Sequence, residues 1–298
     1  MMRLKVPNGI VNSDQLRFYA DCVEPYGPEV GVIDITTRQN IQMRGVTVED
    51  APAIFEGLHA RNQTSFMSAL DNVRNLVGSP LAGIDDQELV DTRMLCRAVE
   101  DMVTIDESTG QRGNPKFSNL PRKFNIAISG SRDDFSHTHI NDIGLQPVAH
   151  HETGEMGFNV VLGGYMSIKR VAESLHTDMW IPADRASVVT LCEAILRIFR
   201  DEGGRKDRQK ARLIWLVEEY GVPEFVAAVR KEMDSYGREG VRHGTAQSLP
   251  GPEEVFERRE LLGVHEQKQS GLVRIGVLVP VGRISVVEAR ELADLADK

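Results

Sequence analysis

The sequence contains three short polar motifs in which arginine or lysine stands among neutral hydrogen-bonding side chains. They are TTRQN at 36–40, DNVRN at 71–75 and LPRKFN at 120–125. Arginine presents a planar fork of donors that matches oxyanions, whereas lysine is a compact charge that can give up a proton. Arg38, Arg74 and Lys123 are therefore candidates for holding a small anion. Taken singly, each of them is more simply an ordinary surface cation.

A second basic segment lies at 205–212, directly before a helical pattern that contains Trp215. It carries five cations: Arg205, Lys206, Arg208, Lys210 and Arg212. A charge run of this kind is typical of the solvated end of a helix.

Cysteine and histidine are not spaced like metal ligands. Cys22, Cys96 and Cys192 lie far apart and form no C-x-x-C pair, so each is expected to be a small buried side chain in a reducing compartment. The histidines at 137–139 and 150–151 lack supporting ligands at a suitable spacing. The sequence predicts no metal site.

Composition and charge narrow the class of protein. A chain of 298 residues has room for about two domains, and its net charge of -9 argues against a general nucleic-acid binder. The apolar runs are too short for a membrane span, and the first residues lack the pattern of a secretory signal.

The elements that must position the candidate cations begin with a unit at 1–62. Alternation and helical periodicity predict a strand and turn at 2–12, a helix from 13 or 14 to about 24, strands at 32–35 and 41–43, and a helix at about 49–60. Ala51, Ile54, Phe55 and Leu58 are expected to form the buried face of that second helix. The order is that of a ferredoxin-like half-domain.

Residues 63–233 are expected to form a mixed α/β domain. The patterns predict helices at 65–73, 85–103, 184–200, 207–220 and 223–233, and strands at 124–129, 143–149 and 157–162. The fold class predicted for the whole chain is α+β.

The remainder divides into a linker and a repeat. Residues 234–270 are polar and rich in glycine and proline, which is typical of a linker with little regular structure. The tetrapeptide VPNG at 6–9 recurs as VPVG at 279–282, so that 271–298 would begin a second ferredoxin-like half-domain. Because that unit lacks its remaining strands, the chain is expected to be a fragment of a longer protein.

Five segments, taken in order, resemble landmarks of ferredoxin-dependent nitrite reductases, which belong to the sirohaem nitrite and sulfite reductase family. They are the three motifs above, GFNVVLGG at 157–164 and RKDRQKAR at 205–212. The resemblance extends over nearly the whole chain.

The resemblance implies roles for individual residues. Arg38, Arg74, Lys123 and Asn125 would face the side of the sirohaem where the substrate binds, with Lys123 best suited to deliver protons. Sulfite reductases typically have lysine where this chain has Asn125, so Asn125 favours nitrite. The carboxylates of the cofactor would be held by basic side chains, namely Arg38, Arg74, Arg122, Lys123, Arg205 and Arg208.

The implied reaction is the six-electron reduction of nitrite to ammonia, with reduced ferredoxin as the electron donor. The family also holds a [4Fe-4S] cluster, whose cysteine ligands are not in this chain, so the isolated chain is expected to be inactive. The complete enzyme would be a monomer of the cytoplasm or the plastid stroma. Two alternatives remain: a fragment of an assimilatory sulfite reductase, and a non-catalytic tetrapyrrole-binding protein on the same scaffold.

Overall fold

We describe residues 1–248 and 259–298 of the protein from a computed structural model. Its α-helices are α1 Ser13–Val23, α2 Ala51–Ala60, α3 Arg93–Thr104, α4 Arg185–Glu202, α5 Leu213–Tyr220, α6 Val222–Ser235 and α7 Val286–Ala296. Its strands are β1 Met2–Arg3, β2 Ile33–Ile35, β3 Ile41–Met43, β4 Val77–Gly78, β5 Ile126–Ile128, β6 Ile143–Ala149, β7 Met156–Leu162, β8 Tyr165–Met166, β9 Val171–Ala172, β10 Leu175–Pro182, β11 Gly263–Glu266, β12 Val273–Gly276 and β13 Arg283–Ile284.

The N-terminal sheet has the order β1-β3-β2-β13 and is antiparallel. It packs with α1 and α2 around a core that includes Leu4, Tyr19 and Met43. In α2 the predicted Ile54 and Leu58 are buried, whereas Phe55 is 48% exposed, so its placement on the buried face was wrong. Phe55 is adjacent in sequence to Ile54, and neighbouring positions on a helix point in different directions.

The two tetrapeptides have similar backbone conformations and similar continuations. Asn8 and Val281 both adopt left-handed conformations, with φ of 58° and 49°, and each is followed by a glycine with φ of 69°. Both repeats continue into helices of 11 residues, α1 and α7, which begin with capping boxes at Asn12 and Ser285. The second copy joins the first, because β13 pairs with β2 and α7 packs against α1.

The central sheet has the order β10-β7-β6-β5-β4. The pairs β4–β5 and β5–β6 are parallel, and β6–β7 and β7–β10 are antiparallel. A single large core lies between this sheet and helices α3 to α6, and it contains Phe124, Phe158 and Phe199. The predicted strands at 124–129, 143–149 and 157–162 are present, and β4, β8, β9 and β10 were missed.

One predicted helix is a loop, and two others begin later than predicted. Residues 65–73 contain left-handed Met67 and Leu70, and the side chain of Asn72 donates to the carbonyl of Ala69, which stabilises a turn. Residues 85–92 precede α3, and 207–212 precede α5. The helical patterns at these two places therefore extended too far toward the N-terminus.

The predicted linker has more structure than its composition suggests. Gly244 pairs with Trp180 of β10, the side chain of Asn159 donates to the carbonyl of Gln247, and β11 forms a hairpin with β12. Residues 249–258 of that segment lie outside the described part. The mixed sheets and helices confirm the predicted α+β class. Neither described range contains a helix long and apolar enough to cross a membrane.

Candidate functional site

The three polar motifs lie side by side at the junction of the two sheets. Arg38 occupies the turn between β2 and β3, and its carbonyl accepts a hydrogen bond from the side chain of Asn75 at 2.8 Å. The buried amide of Asn75 also exchanges two bonds of 2.7 Å with the main chain of Val6. The amide group of Asn75 thereby fixes the position of the Arg38 turn relative to the second motif.

The second and third motifs are joined through their main chains. The amide of Arg74 donates to the carbonyl of Phe124 at 2.7 Å, and the amide of Phe124 donates to the carbonyl of Asn72 at 3.1 Å. The amide of Leu120 donates to the carbonyl of Asp71 at 3.0 Å. Segments about 50 residues apart in sequence therefore form one rigid surface.

Arg38, Lys123 and Asn125 line one cavity of about 480 Å³. Its other lining residues come from the turn after β2, from the loop at 135–141, and from β8 and the start of α5: Thr37, Gln39, Val77, Phe135, Ser136, His137, Ile140, Asn141, Met166 and Arg212. Arg74 stands behind these residues, and its guanidinium donates to the carbonyl of Leu70 at 2.9 Å.

The cavity is strongly electropositive. Burial, followed by the charges of Arg212, Arg38, Arg74 and Arg122, lowers the pKa of Lys123 to about 8. Burial, together with nearby arginines that include Arg38, lowers the pKa of Arg74 to about 10. Within residues 1–248 and 259–298, no carboxylate forms an ion pair with Arg38 or Lys123. The positive charge of Arg38 and Lys123 therefore has no counterion among the described residues.

Two buried polar atoms at this site lack hydrogen-bond partners. They are Oδ1 of Asn125 and Nε of Arg74. Buried polar atoms are nearly always hydrogen-bonded in folded proteins, and exceptions often mark the place of a ligand or a water molecule. In the cavity wall, Oδ1 of Asn125 therefore offers an unused acceptor beside the charges, and Nε of Arg74 is an unused donor outside the lining.

A second cavity of about 740 Å³ adjoins the first. Both cavities are lined by Lys123, Met166 and Arg212. In the second cavity the ring of Trp215 lies between two cations, with the guanidinium carbon of Arg170 at 4.4 Å and Nζ of Lys210 at 5.8 Å from its centroid.

The remaining predicted cofactor contacts occupy different positions. Arg122 and Arg208 line the second cavity, and both form ion pairs with Asp71, at 3.3 and 2.7 Å. Arg205 donates to the carbonyls of Asn119 and Arg200, both at 3.0 Å, and does not line either of these two cavities.

Sequence reasoning did not select two cations of this site. Arg212 was one of five unranked residues in the basic segment, yet it is the one that borders both cavities. Arg3 contributes charge that lowers the pKa of Arg38 and Arg74. The position of Arg212 directly before α5 was a usable signal. No sequence pattern around Arg3 indicated that it lies near Arg38 and Arg74.

The thiols line neither cavity, whereas one histidine, His137, lines the first. Burial raises the pKa of Cys22 to about 11 and that of Cys192 to about 12, and it also raises that of Cys96. The described ranges contain no group of three or more histidine, cysteine or acidic side chains arranged to hold a metal ion.

Comparison with known protein families identifies the family of this chain. The model described as "Nitrite and sulphite reductase 4Fe-4S domain" matches residues 69–235, and the model described as "Nitrite/Sulfite reductase ferredoxin-like half domain" matches residues 1–61. The chain belongs to the nitrite and sulphite reductase family.

Individual relatives agree with this assignment. The chain is 47% identical over 302 residues to the chloroplastic ferredoxin–nitrite reductase of Zea mays, covering all of this chain and 50% of that protein. It is 47% identical over 298 residues to the ferredoxin–nitrite reductase of Synechococcus elongatus, covering 55% of that protein. The solved structure of the Mycobacterium tuberculosis NirA protein matches with a TM-score of 0.81 and 30% identity, over 99% of this chain and 49% of that one. The chain thus spans about half the length of these relatives.

Proposed function

We propose that this chain forms the substrate-binding wall of a ferredoxin-dependent nitrite reductase, which reduces nitrite to ammonia with six electrons. The observation that carries the proposal is the cavity at which Arg38, Lys123 and Asn125 meet without a carboxylate to neutralise the two cations. A small anion entering it would be stabilised by charges that already stand in place.

The residues present suit sirohaem as the cofactor. A ligand with several carboxylates needs a cationic surface with unused donors, and Arg38, Arg74 and Lys123 supply one here, with Arg122 and Arg208 at the adjoining cavity. Sirohaem, when bound, supplies redox chemistry at an iron centre. Arg205 remains a proposed contact, supported only by its place in the basic segment.

Lys123 is the proposed proton donor. Its pKa of about 8 lies closer to neutral pH than that of an ordinary lysine, so it can release a proton and be recharged. Arg38 and Arg74 stay protonated. Arg38 holds the anion in position, and Arg74 adds positive charge from outside the cavity lining. Asn125 places a neutral amide beside the cations, which favours the singly charged nitrite over sulfite.

The [4Fe-4S] cluster finds no ligand set among the cysteines of this chain. Cys22, Cys96 and Cys192 lie on α1, α3 and α4, and the thiols of Cys96 and Cys192 are fully buried in the core. We propose that the cluster ligands, and the surface for reduced ferredoxin, belong to the additional length of the relatives.

The sequence repeat supports a second half-domain that resembles the one at 1–62. Leu4, Lys5 and Asn8 are buried in the first copy, and the equivalent Val277, Leu278 and Val281 are exposed. We propose that 1–62 and 271–298 are paired half-domains around the 63–233 domain, that 234–270 connects them, and that further chain covers this exposed apolar surface. The proposed setting is a monomer in the plastid stroma or cytoplasm, without a nucleic-acid partner.

Nitrite titration of the isotopically labelled chain, followed by NMR, tests the proposed site. We expect nitrite to shift the side-chain signals of Arg38 and Lys123, and the binding to be lost in Arg38→Met and Lys123→Met. Lys116→Met is the matched control, because Lys116 is an exposed lysine paired with Glu107. Undiminished binding in both site variants, or equal loss in Lys116→Met, would contradict the proposal.

A further inference from the structure

Asp142 is a buried carboxylate that connects two residues of the cavity. It lies just before β6, and its side chain is inaccessible to solvent. Its Oδ2 accepts hydrogen bonds from the main-chain amide of Asn125 at 2.7 Å and from Nη2 of Arg212 at 2.6 Å. Its Oδ1 accepts from Nε of Arg212 at 3.1 Å.

The Asp142–Arg212 pair has a defined orientation. Arg212 binds the carboxylate through Nε and Nη2, and its guanidinium carbon lies 4.9 Å from the centroid of the Tyr165 ring. Among the described residues, Nη1 of Arg212 donates no hydrogen bond to a protein group, and the side chain is 6% exposed. The guanidinium is thus held on one edge, and Arg212 lines both cavities.

Asp142 also holds the main chain of Asn125, which is a second residue of the cavity wall. The carboxylate binds the main chain of Asn125, while the side-chain Oδ1 of Asn125 has no partner. The position of that amide in the cavity therefore depends on the backbone, which Asp142 anchors directly before β5.

We propose that Asp142 is a positioning residue for the anion site, which sets both the amide of Asn125 and the guanidinium of Arg212 in the cavity. The inference rests on the proposed function, because the two residues that Asp142 positions line the proposed nitrite site. Asp142 itself does not touch the anion.

The arrangement has an electrostatic consequence at Lys123. The charged groups that face Lys123 are Arg38, Arg74, Arg122 and Arg212, all of which are cations. Asp142 neutralises Arg212, so removing its charge makes the field at Lys123 more positive. Asp142→Asn should therefore lower the pKa of Lys123, and Arg212→Gln should raise it.

The test follows the Lys123 side chain and the Asn125 amide by NMR in the full chain, without cofactor. In Asp142→Asn we expect the Lys123 titration to move to lower pH and the Asn125 amide signal to shift. Nitrite affinity should fall about tenfold, because the charged hydrogen bonds that hold Asn125 and Arg212 in place are weakened. In Arg212→Gln, which keeps the carboxylate, the Lys123 titration should move to higher pH.

Glu193→Gln is the matched control. Glu193 is equally buried and binds two arginines, Arg197 and Arg238, but it lies on α4 and lines neither cavity. Its variant should lose stability without moving the signals of Lys123 or Asn125. Unchanged signals in Asp142→Asn, or equal changes in Glu193→Gln, would overturn the inference.

The design separates the inference from the proposed function. If Asp142→Asn does not fold, Asp142→Glu decides, because it keeps the charge and displaces the carboxylate from Asn125 and Arg212. An Asn125 amide signal that stays in place in that variant overturns the inference. If the wild-type chain binds no nitrite, the proposed anion site fails, and the Lys123 and Asn125 signals still report whether Asp142 positions these groups.

Discussion

The ammonium group of Lys5 lies 3.1 Å from the carboxylate of Glu100, and both side chains are almost completely buried. Lys5 also donates to the carbonyl of Val73 at 2.9 Å. It thereby joins the N-terminal sheet to α3 and to the main chain next to Arg74.

Lys5→Met should destabilise the chain by about 3–5 kcal/mol, because it leaves the Glu100 carboxylate buried without a partner. Denaturant unfolding measures the free energy. The double variant Lys5→Met, Glu100→Gln should lose less than the sum of the single losses. Glu107→Gln breaks the exposed pair with Lys116 and should cost at most about 1 kcal/mol. Additive losses in the double variant would show that the two buried groups are uncoupled.

Nitrite binding should weaken as the pH rises through the pKa of Lys123, about 8, because the neutral amine no longer attracts the anion. Removing a neighbouring positive charge favours the protonated amine, so Arg38→Met and Arg74→Met should each raise this pKa. NMR titration of the Lys123 side chain measures it. A lower or unchanged pKa in both variants is the contrary result.

The same shift affects stability. Folding lowers the Lys123 pKa from 10.5 to about 8, so the unfolded chain binds more protons between those values. The contribution of Lys123 to stability therefore increases with pH across that window. Lys123→Met should reduce the slope of unfolding free energy against pH between 8 and 10.5, and a slope unaffected by the substitution argues against the shifted pKa.

Asn125→Lys should change anion preference toward sulfite, because an added ammonium group favours the more highly charged anion. The ratio of the sulfite and nitrite dissociation constants measures the effect. Asn125→Gln keeps a neutral amide and serves as the control. An unchanged ratio in Asn125→Lys would remove the basis for assigning nitrite.

Gly282→Ala should destabilise the chain more than Gly154→Ala, although both glycines have φ of 69°. A Cβ at Gly282 would lie 2.4 Å from the carbonyl oxygen of Ile35, whereas no heavy atom lies within 4 Å at Gly154. The left-handed conformation alone costs about 1–2 kcal/mol, and the clash adds to it at Gly282. Thermal unfolding distinguishes the two, and equal losses would show that the turn relaxes freely.

The purified 298-residue chain should not reduce nitrite with reduced methyl viologen, because its three cysteines do not form a cluster site. Ammonia production is the measurement. Turnover at a rate that survives repurification would contradict the proposed division of the site between this chain and the rest of its relatives.

Local patterns predicted the elements that depend on local contacts. The periodicity of α1 and the alternation of β2 and β3 agree with the structure, whereas the N-cap of α1 is Asn12 and not the expected Ser13 or Asp14. The segment 65–73 has helical periodicity, but its residues are used in turns and in a bridge from Val73 to Phe124. That contact depends on a distant strand and has no local signal.

The residues of the candidate site also divide into those that local motifs indicate and those that only the fold brings together. Arg38, Lys123 and Asn125 were selected through motifs shared with a family, and the structure brings them to one cavity. Arg212 and Asp142 meet across 70 residues of sequence, so their pairing could be recognised only in three dimensions. The composition of 234–270 predicted a linker with little regular structure. Hydrogen bonds to Trp180 and Asn159, which are distant in sequence, fix the position of part of this segment.

The pairing of β2 with β13 also affects how the chain folds. Ile33 and Ile284 are about 250 residues apart in sequence, so this contact closes a very long loop. During synthesis, the N-terminal sheet remains without its fourth strand until nearly all of this segment has left the ribosome. Non-local pairings of this kind slow folding and expose a strand edge in the interim, so the growing chain should depend on protection from aggregation at that stage.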